Sequence, residues 1–157
     1  MEWEFESLGG NHYKAKIYGK RRTEEMVEGL RVGWNEYWFN IARIVSTRAT
    51  CPRKQVGCVI VSNNRILATG YNGAKQGEPH CMSVGCDILA NHCSRSVHAE
   101  VNAIRQYLLP DRAIRILDSG SGLEMYCTLQ PCKKCEKEIN KYLPDMKIYY
   151  EEEYDNR

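Results

Sequence analysis

The sequence predicts one α/β domain in which helices flank a mixed β-sheet. Three observations favour this class: a hairpin pattern opens the regular part of the chain, strands and helices alternate after it, and 157 residues suffice for one core. The composition agrees, since 43% apolar and 27% charged residues are typical of soluble globular proteins and exclude disordered or fibrous chains.

The first predicted elements are a helix and a hairpin. Apolar side chains recur at helical spacing from Trp34 onward, and Pro52 limits this helix to about Arg48. Apolar runs over 56–61 and 66–71 predict two strands, and the polar letters SNNR between them predict the turn that joins them.

Residues 72–97 have no clear period and are rich in glycine, cysteine, histidine and asparagine. Such a long irregular stretch inside a compact domain is usually functional, and a bound metal could order it. The remaining predicted elements are, in order, a helix from His98 to before Pro110, a strand over 123–128, a helix after Pro131 and a strand over 146–150.

Residues 1–30 show no sustained period and are interpreted as an N-terminal extension of unknown role, which leaves 31–157 as the one folded domain. No stretch approaches the ~18 apolar residues of a membrane span, and the opening letters MEWEFESLGG have no secretory pattern. We therefore expect a cytoplasmic protein, in the host cytoplasm if the source is viral, without a membrane partner.

Charge and cysteine content narrow the class of ligand. The formal net charge of +2 is too small to predict a polyanion-binding surface, so a phosphorylated small molecule is favoured over a nucleic acid. Eight cysteines would indicate disulfides in a secreted chain, but in a reducing cytosol they point to metal ligation. Seven of them, and three of the four histidines, lie between Cys51 and Cys132.

Two short motifs together predict a catalytic metal site. His98-Ala99-Glu100, followed by Pro131-Cys132-Lys133-Lys134-Cys135, fits the H-x-E…P-C-x-x-C pattern of zinc nucleobase deaminases. An H-x-E triplet alone often arises by chance, and a lone C-x-x-C is also found in structural zinc sites and redox pairs. Both halves in this order, with the proline in place, favour the deaminase interpretation.

The spacing of these residues suits this chemistry. Cys132 and Cys135 lie on one face at the start of a helix, where the helix N-terminus favours thiolates. With His98 they supply three ligands, and a fourth position left to water is typical of catalytic zinc. Glu100 can then take a proton from water whose pKa falls to roughly 7, and pass it to the base and the leaving amino group. The alternative for Glu100 is an exposed glutamate favoured by the helix dipole.

Four stretches carry a resemblance to a known family: Arg48-Ala49-Thr50-Cys51-Pro52-Arg53, Gly70-Tyr71-Asn72-Gly73, the cluster His80-Cys81…Cys86…Asn91-His92-Cys93, and His98-Ala99-Glu100-Val101-Asn102-Ala103. Residues 34–150 resemble the zinc-dependent cytidine and deoxycytidylate (dCMP) deaminases, most strongly the microbial and viral forms. The resemblance implies the cytidine deaminase-like three-layer fold and hydrolysis of dCMP to dUMP with release of ammonia. It also implies zinc on His98, Cys132 and Cys135, with Glu100 as the proton shuttle.

The resemblance and the position of basic residues suggest the substrate contacts. Asn72 matches an asparagine that contacts the substrate sugar in related deaminases, although an Asn-Gly turn at the end of a strand explains it equally well. Arg48, Arg53 and Lys54 lie between the first helix and the first strand, where the substrate enters in this fold. We expect them to bind the 5′-phosphate, and the alternative is a solvated basic loop.

The resemblance also implies a second zinc ion. Cys51, Cys81 and His92 are its expected ligands, together with either Cys86 or Cys93, in a closed site that holds the irregular loop. The alternative is a set of buried free cysteines that pack as small apolar residues.

The larger members of the family are typically homohexamers, activated by dCTP and inhibited by dTTP. The resemblance places the effector, with its Mg²⁺, at the turn Gly70-Tyr71-Asn72-Gly73, where glycines allow a close backbone approach and positive φ, so that main-chain groups could bind a nucleotide. Lys75 is a candidate phosphate partner there. The alternative is an ordinary hairpin turn.

Two other functions compete with this reading. A tRNA or free-base or nucleoside deaminase shares the fold and the zinc motif, but a nucleic-acid enzyme would need a wider basic surface than a chain ending near Glu151, Glu152 and Glu153 offers. A zinc-stabilised binding module would leave Glu100 unexplained and its zinc with three ligands.

Overall fold

The computed structural model describes residues 2–7, 9–18, 31–89, 92–109 and 122–153. Within these ranges the strands are β1 (Glu2–Ser7), β2 (His12–Tyr18), β3 (Gly57–Ser62), β4 (Arg65–Tyr71), β5 (Gly73–Ala74), β6 (Ile88–Leu89), β7 (His92–Cys93), β8 (Ser96–Val97), β9 (Glu124–Leu129) and β10 (Lys147–Glu152). The helices are α1 (Trp34–Ser46), α2 (Cys81–Val84), α3 (Ala99–Tyr107) and α4 (Lys133–Tyr142).

The long strands form one mixed sheet in the order β1-β2-β10-β9-β3-β4. Strand β10 runs parallel to both β2 and β9, whereas β3 is antiparallel to β9 and to β4. The parallel pair β9 and β10 is joined through α4, as a parallel connection requires a crossover. The mixed sheet predicted from the sequence is therefore confirmed.

Helices cover both faces of this sheet and complete the predicted three layers. On one face, Trp38, Phe39 and Ala42 of α1 are buried against Val59 and Tyr126. The opposite face buries the apolar sides of α3 and α4 in a larger core, which contains Ala103, Ile104, Tyr107, Ile139, Leu143, Ile60, Met125 and Ile148. Helix α3 packs against both β4 and α4, so the start of α3 is held between the sheet and the neighbouring helix.

The hairpin of β3 and β4 turns where the sequence predicts. Ser62 pairs with Arg65, which leaves a two-residue loop. Asn63 and Asn64 have φ of 49° and 58°, the positive values that a two-residue hairpin turn of type I′ needs and that asparagine tolerates. This turn fixes the register of the two strands.

The N-terminal extension, to which sequence analysis assigns no element, continues the sheet. Strand β2 pairs with β10, and the Ile148 N–H donates to the carbonyl oxygen of Asn11 at 2.8 Å. His12 lies 3.9 Å from the Glu136 carboxylate of α4. Residues 19–30 of the extension, and Pro110 after the third helix, lie outside the described residues.

Glycine and an ion pair fix α1 on its face of the sheet. A Cβ on Gly57 would overlap the Ala42 carbonyl oxygen, so only glycine allows β3 and α1 to approach this closely. Arg43 forms a two-pronged ion pair with Glu151 of β10. No helix in the described ranges is long and apolar enough to cross a membrane.

Candidate active site

The ends of two helices bring the predicted zinc ligands together. His98 is the residue before α3, Cys132 is the residue before α4, and Cys135 lies in the first turn of α4. The His98 Nδ1 atom lies 3.5 Å from Cys132 Sγ and 3.2 Å from Cys135 Sγ. The two sulfur atoms are 3.7 Å apart.

These distances fit a tetrahedral zinc ion. With Zn–S of about 2.3 Å and Zn–N of about 2.0 Å, tetrahedral geometry requires about 3.5 Å between nitrogen and sulfur and about 3.8 Å between two sulfurs. The trio His98, Cys132 and Cys135 comes close to all three separations. The donor set therefore suits zinc, with one tetrahedral position left open.

The low pKa of Cys132 agrees with a cation-binding role. Hydrogen bonds from Cys135 and His98 lower the pKa of the Cys132 thiol to about 3. The hydrogen bond with Cys132 raises the pKa of His98, and contact with Cys132 together with burial raises that of Cys135. A cysteine with so low a pKa is a thiolate at neutral pH, which is the form that binds zinc.

Glu100 lies beside this trio in the first turn of α3. Its side chain is buried, with 3% exposure, and burial raises the pKa of its carboxyl group. A carboxylate oxygen, a His98 ring nitrogen and Cys135 Sγ lie within 4.8 Å of one another. A buried carboxyl group with a raised pKa next to a metal trio can both accept and donate a proton.

A cavity of about 270 Å³ opens above these residues. It is lined by Cys51, Arg53, Lys54, Val56, Asn72, His92, Cys93, Ser96, His98, Ala99, Glu100, Leu129, Gln130 and Cys132. Arg53 and Lys54, two of the three predicted phosphate ligands, are thus at the cavity that holds Glu100. Arg48 is exposed and is not among its lining residues.

Asn72 holds the wall of the cavity. Its Oδ1 accepts a hydrogen bond from the Val56 N–H at 2.8 Å, and its Nδ2 donates to the Lys54 carbonyl at 2.9 Å. The backbone of Asn72 also bonds to Val56 and Thr50. The predicted sugar-binding residue therefore has a structural task, and it lines the cavity as well.

Three of the five residues predicted for the second zinc site form a cluster of thiols. Cys81, Cys86 and Cys93 have their sulfur atoms within 4.8 Å of one another, with Cys81 and Cys93 at 3.6 Å. Burial and the neighbouring Cys51 thiol raise the pKa of the Cys86 thiol, so Cys51 lies close to this cluster. The remaining cysteines, Cys58 and Cys127, face each other across β3 and β9 in the core, where burial raises the pKa of both.

The structure does not bring His92 into this thiol cluster. Its ring instead lies 5.5 Å from that of His98, centroid to centroid, with a tilt of 32°. A His92 nitrogen, a His98 nitrogen and Cys132 Sγ lie within 4.8 Å of one another. His92 and Cys93 are consecutive in β7, and both line the cavity.

The predicted effector segment differs from the expected turn. Gly70 and Tyr71 end β4 and Gly73 begins β5, and neither glycine has a positive φ. The expectation that positive φ explains these glycines is therefore wrong. A Cβ on Gly73 would stand 2.6 Å from Thr50 Oγ1, and Gly70 lies against α3, so both glycines allow close packing. Tyr71 is exposed, and Lys75 lies 3.9 Å from Glu78.

Sequence analysis misses two polar residues of the cavity, Ser96 and Gln130. Each stands two positions before a predicted zinc ligand, His98 and Cys132 respectively. That spacing is a signal that could have identified them. Asn91, part of the motif cluster that carries the family resemblance, lies outside the described residues.

Comparisons with known proteins identify the family of this chain. Residues 32–151 match the family model described as the cytidine and deoxycytidylate deaminase zinc-binding region. The chain is 38% identical over 124 residues to ComE operon protein 2 of Bacillus subtilis, covering 79% of this chain and 62% of that protein. It is 34% identical to the deoxycytidylate deaminase of Mycobacterium phage D29, covering 69% of this chain and 88% of the phage protein.

The relatives of this chain differ in length, and a solved structure of one such deaminase is also similar to it. The chain is 33% identical to the deoxycytidylate deaminase of Schizosaccharomyces pombe but spans only 35% of its length. The crystal structure of the dCMP deaminase from cyanophage S-TIM5 in complex with dCMP and dUMP matches with a TM-score of 0.61 and 31% identity. That match covers 76% of this chain and 81% of the phage chain.

Proposed function

Because this chain belongs to the cytidine and deoxycytidylate deaminase family, we propose that it hydrolyses dCMP to dUMP and ammonia. One observation carries the proposal: buried Glu100 lies beside the trio His98, Cys132 and Cys135 at a cavity that also contains Arg53 and Lys54. The trio fits a catalytic zinc, and the two cations suit a phosphorylated substrate. The deoxycytidylate deaminase of phage D29, of which this chain covers most of the length, supports dCMP as the substrate.

The residues of the site divide the reaction between them. His98, Cys132 and Cys135 would hold a zinc ion, which would supply a water acidified to a pKa of roughly 7. Glu100 would accept a proton of the attacking water as its oxygen bonds to C4 of the pyrimidine, and would donate this proton to N3. It would then pass the proton of the new C4 hydroxyl group to the amino group, the C4–N bond would break, and ammonia would leave as the C4 carbonyl forms.

Arg53 and Lys54 distinguish a nucleotide from a nucleoside in this proposal. Both line the cavity, and a guanidinium binds phosphate oxygens with two parallel hydrogen bonds, while an ammonium adds a point charge. Arg48, the third residue expected from the sequence, is not among the residues that line the cavity.

A second, structural zinc ion would fit the thiol cluster. The 3.6 Å between Cys81 and Cys93 is close to the sulfur separation of a tetrahedral zinc site, Cys86 lies in the same group, and Cys51 is the candidate for the fourth ligand. This set contains both Cys86 and Cys93, whereas the sequence analysis expected only one of them, and it does not contain His92. Because Cys51 and Cys93 also line the cavity, such an ion would hold one wall of the active site in place.

Regulation and assembly follow the family expectation. We expect dCTP with Mg²⁺ to activate, dTTP to inhibit, and the chains to form a homohexamer. The segment 70–73 supports an effector site indirectly, since Asn72 is bonded to the 54–56 backbone that lines the cavity. An effector that moved Asn72 would therefore move Lys54.

A steady-state assay of ammonia release tests the proposed function. It compares dCMP, deoxycytidine and a cytosine-containing oligonucleotide, each with zinc-loaded protein. We expect dCMP to be the preferred substrate. A higher kcat/KM for deoxycytidine or for the oligonucleotide would contradict the proposal and favour the nucleoside or nucleic-acid deaminases of the same fold.

A further inference from the structure

We propose that His92 is a catalytic residue that hydrogen-bonds the 4-amino group of the substrate as this group leaves as ammonia. The inference rests on the proposed function, since it deepens the same site. It contradicts the sequence expectation that His92 is a ligand of the second zinc. Four observations support it.

The position of the ring is the first support. A His92 nitrogen lies within 4.8 Å of both a His98 nitrogen and Cys132 Sγ, and the ring is half-buried at the wall of the cavity. A side chain that close to two zinc ligands is also close to the reacting atoms of a bound substrate.

The second support is that His92 is not part of the thiol cluster. The sulfur atoms of Cys81, Cys86 and Cys93 lie within 4.8 Å of one another, and Cys51 is the fourth thiol proposed for a structural zinc site. The His92 nitrogen is instead grouped with His98 and Cys132, at the catalytic cavity.

The third support is the arrangement of His92 relative to Glu100. Glu100 is grouped with His98 and Cys135, whereas His92 is grouped with His98 and Cys132. Glu100 and His92 therefore lie at different edges of the three proposed zinc ligands, and only His98 is close to both. Glu100 transfers protons at one edge, which leaves the other edge for a second polar contact with the pyrimidine.

The fourth support is the end of the substrate that His92 can reach. In dCMP the phosphate is separated from C4 by the whole sugar and most of the base. Arg53 and Lys54 would bind the phosphate at one end of the substrate. A ring near Cys132 would then lie at the C4 end of the base, whose polar substituent is the amino group. An imidazole nitrogen can accept a hydrogen bond from that group, and the bond strengthens as the nitrogen gains positive charge.

Two variants separate this role from metal ligation. His92→Phe keeps a flat ring against His98 but removes both ring nitrogens, and His92→Asn keeps a short hydrogen-bonding side chain. In zinc-loaded protein we expect His92→Phe to lower kcat for dCMP by about 10-fold or more with KM changed less than about 2-fold, because a contact made mainly in the transition state is lost. His92→Asn should recover part of kcat.

Two measurements that need no turnover complete the test. The zinc content per chain, and its resistance to a competing chelator, should be the same in His92→Phe and the unmodified protein. Calorimetric titration with dUMP, which has no 4-amino group, should give a Kd within about 2-fold of the unmodified protein. A loss of about one zinc per chain, or a large loss of zinc affinity, would show that His92 is a metal ligand and overturn the inference.

The inference and the proposed function fail in different ways. If the unmodified protein releases ammonia from dCMP but His92→Phe has the same kcat, only the role of His92 is overturned. If the unmodified protein does not act on dCMP, the proposed function fails, and the role of His92 at the amino group fails with it.

Discussion

The backbone of Gly70 at the end of β4 lies directly against Ala99 in the first turn of α3. A Cβ at position 70 would overlap the Ala99 carbonyl oxygen and stand 3.0 Å from the Cα atom of Ala103. Asn102 adds a 2.8 Å hydrogen bond from its Nδ2 to the Tyr71 carbonyl. The helix that begins after His98 and carries Glu100 is therefore positioned by the outer strand of the sheet.

Gly70→Ala should destabilise the fold and displace the catalytic helix. Because the overlapping atoms belong to the backbone, the strand and the helix must separate, and we expect a loss of about 2–3 kcal/mol in the free energy of unfolding. Urea unfolding monitored by circular dichroism measures this loss. Gly33→Ala is the matched control, since its Cβ would meet nothing within 4 Å, and its loss should stay below about 1 kcal/mol. Equal losses in the two variants would contradict the packing argument.

Glu100→Gln should abolish turnover without loss of zinc. The amide keeps the size of the side chain but cannot carry a proton, so kcat for dCMP should fall by at least ~10²-fold. Ammonia release measures kcat, and metal analysis checks that zinc binding at the proposed ligands His98, Cys132 and Cys135 is unchanged. Glu36→Gln, in the first turn of α1, is the control and should keep full activity. Nearly unchanged turnover in Glu100→Gln would refute the proposed proton transfer.

The thiol cluster predicts two zinc ions per chain. Protein purified without chelator should contain two, and Cys86→Ser should contain one, because a serine hydroxyl is a poor replacement for a thiolate ligand. Plasma emission spectrometry gives these ratios. Cys58→Ala removes a core cysteine outside the cluster and should keep both ions. One zinc in the unmodified protein would instead support a cluster of buried free cysteines.

We expect Arg53 and Lys54, which line the cavity, to bind the substrate phosphate, and the exposed Arg48 not to bind it. Arg53→Ala and Lys54→Ala should each lower kcat/KM for dCMP by about 10-fold or more, since charge-assisted hydrogen bonds contribute about 1.5–3 kcal/mol. Neither should change kcat/KM for deoxycytidine, which has no phosphate. Arg48→Ala is the control, because Arg48 does not line the cavity. An equal effect of all three variants on both substrates would argue against phosphate recognition.

The sequence predicts most of the sheet and helices because their signals are local. The turn at Asn63-Asn64 and the helix that ends before Pro52 depend on neighbours in the chain, and both predictions are confirmed. The separation of His92 from the thiols is a tertiary relationship, and spacing alone does not reveal it. The role of Gly70 is likewise tertiary, because the helix that it contacts begins almost thirty residues later.

The last prediction concerns the effectors. Asn72 links the segment 70–73 to the cavity, since its side chain is bonded to Lys54 and Val56, which both line the cavity. A triphosphate bound near exposed Tyr71 and Lys75 could therefore alter the position of Lys54 relative to the substrate phosphate.

An effector acts only through different affinities for two states, and couplings of about 1–3 kcal/mol are usual. We therefore expect dTTP to raise, and dCTP to lower, the dCMP concentration needed for half-maximal rate by about 5-fold or more. Ammonia release at low dCMP with Mg²⁺ present measures this, and Lys75→Ala should weaken both effects while leaving the rate without effector unchanged. Because Lys75 is exposed and outside the cavity lining, this variant separates effector binding from catalysis. Rates that stay constant during titration with either triphosphate would leave an unregulated deaminase, in which Gly70 and Gly73 serve packing alone.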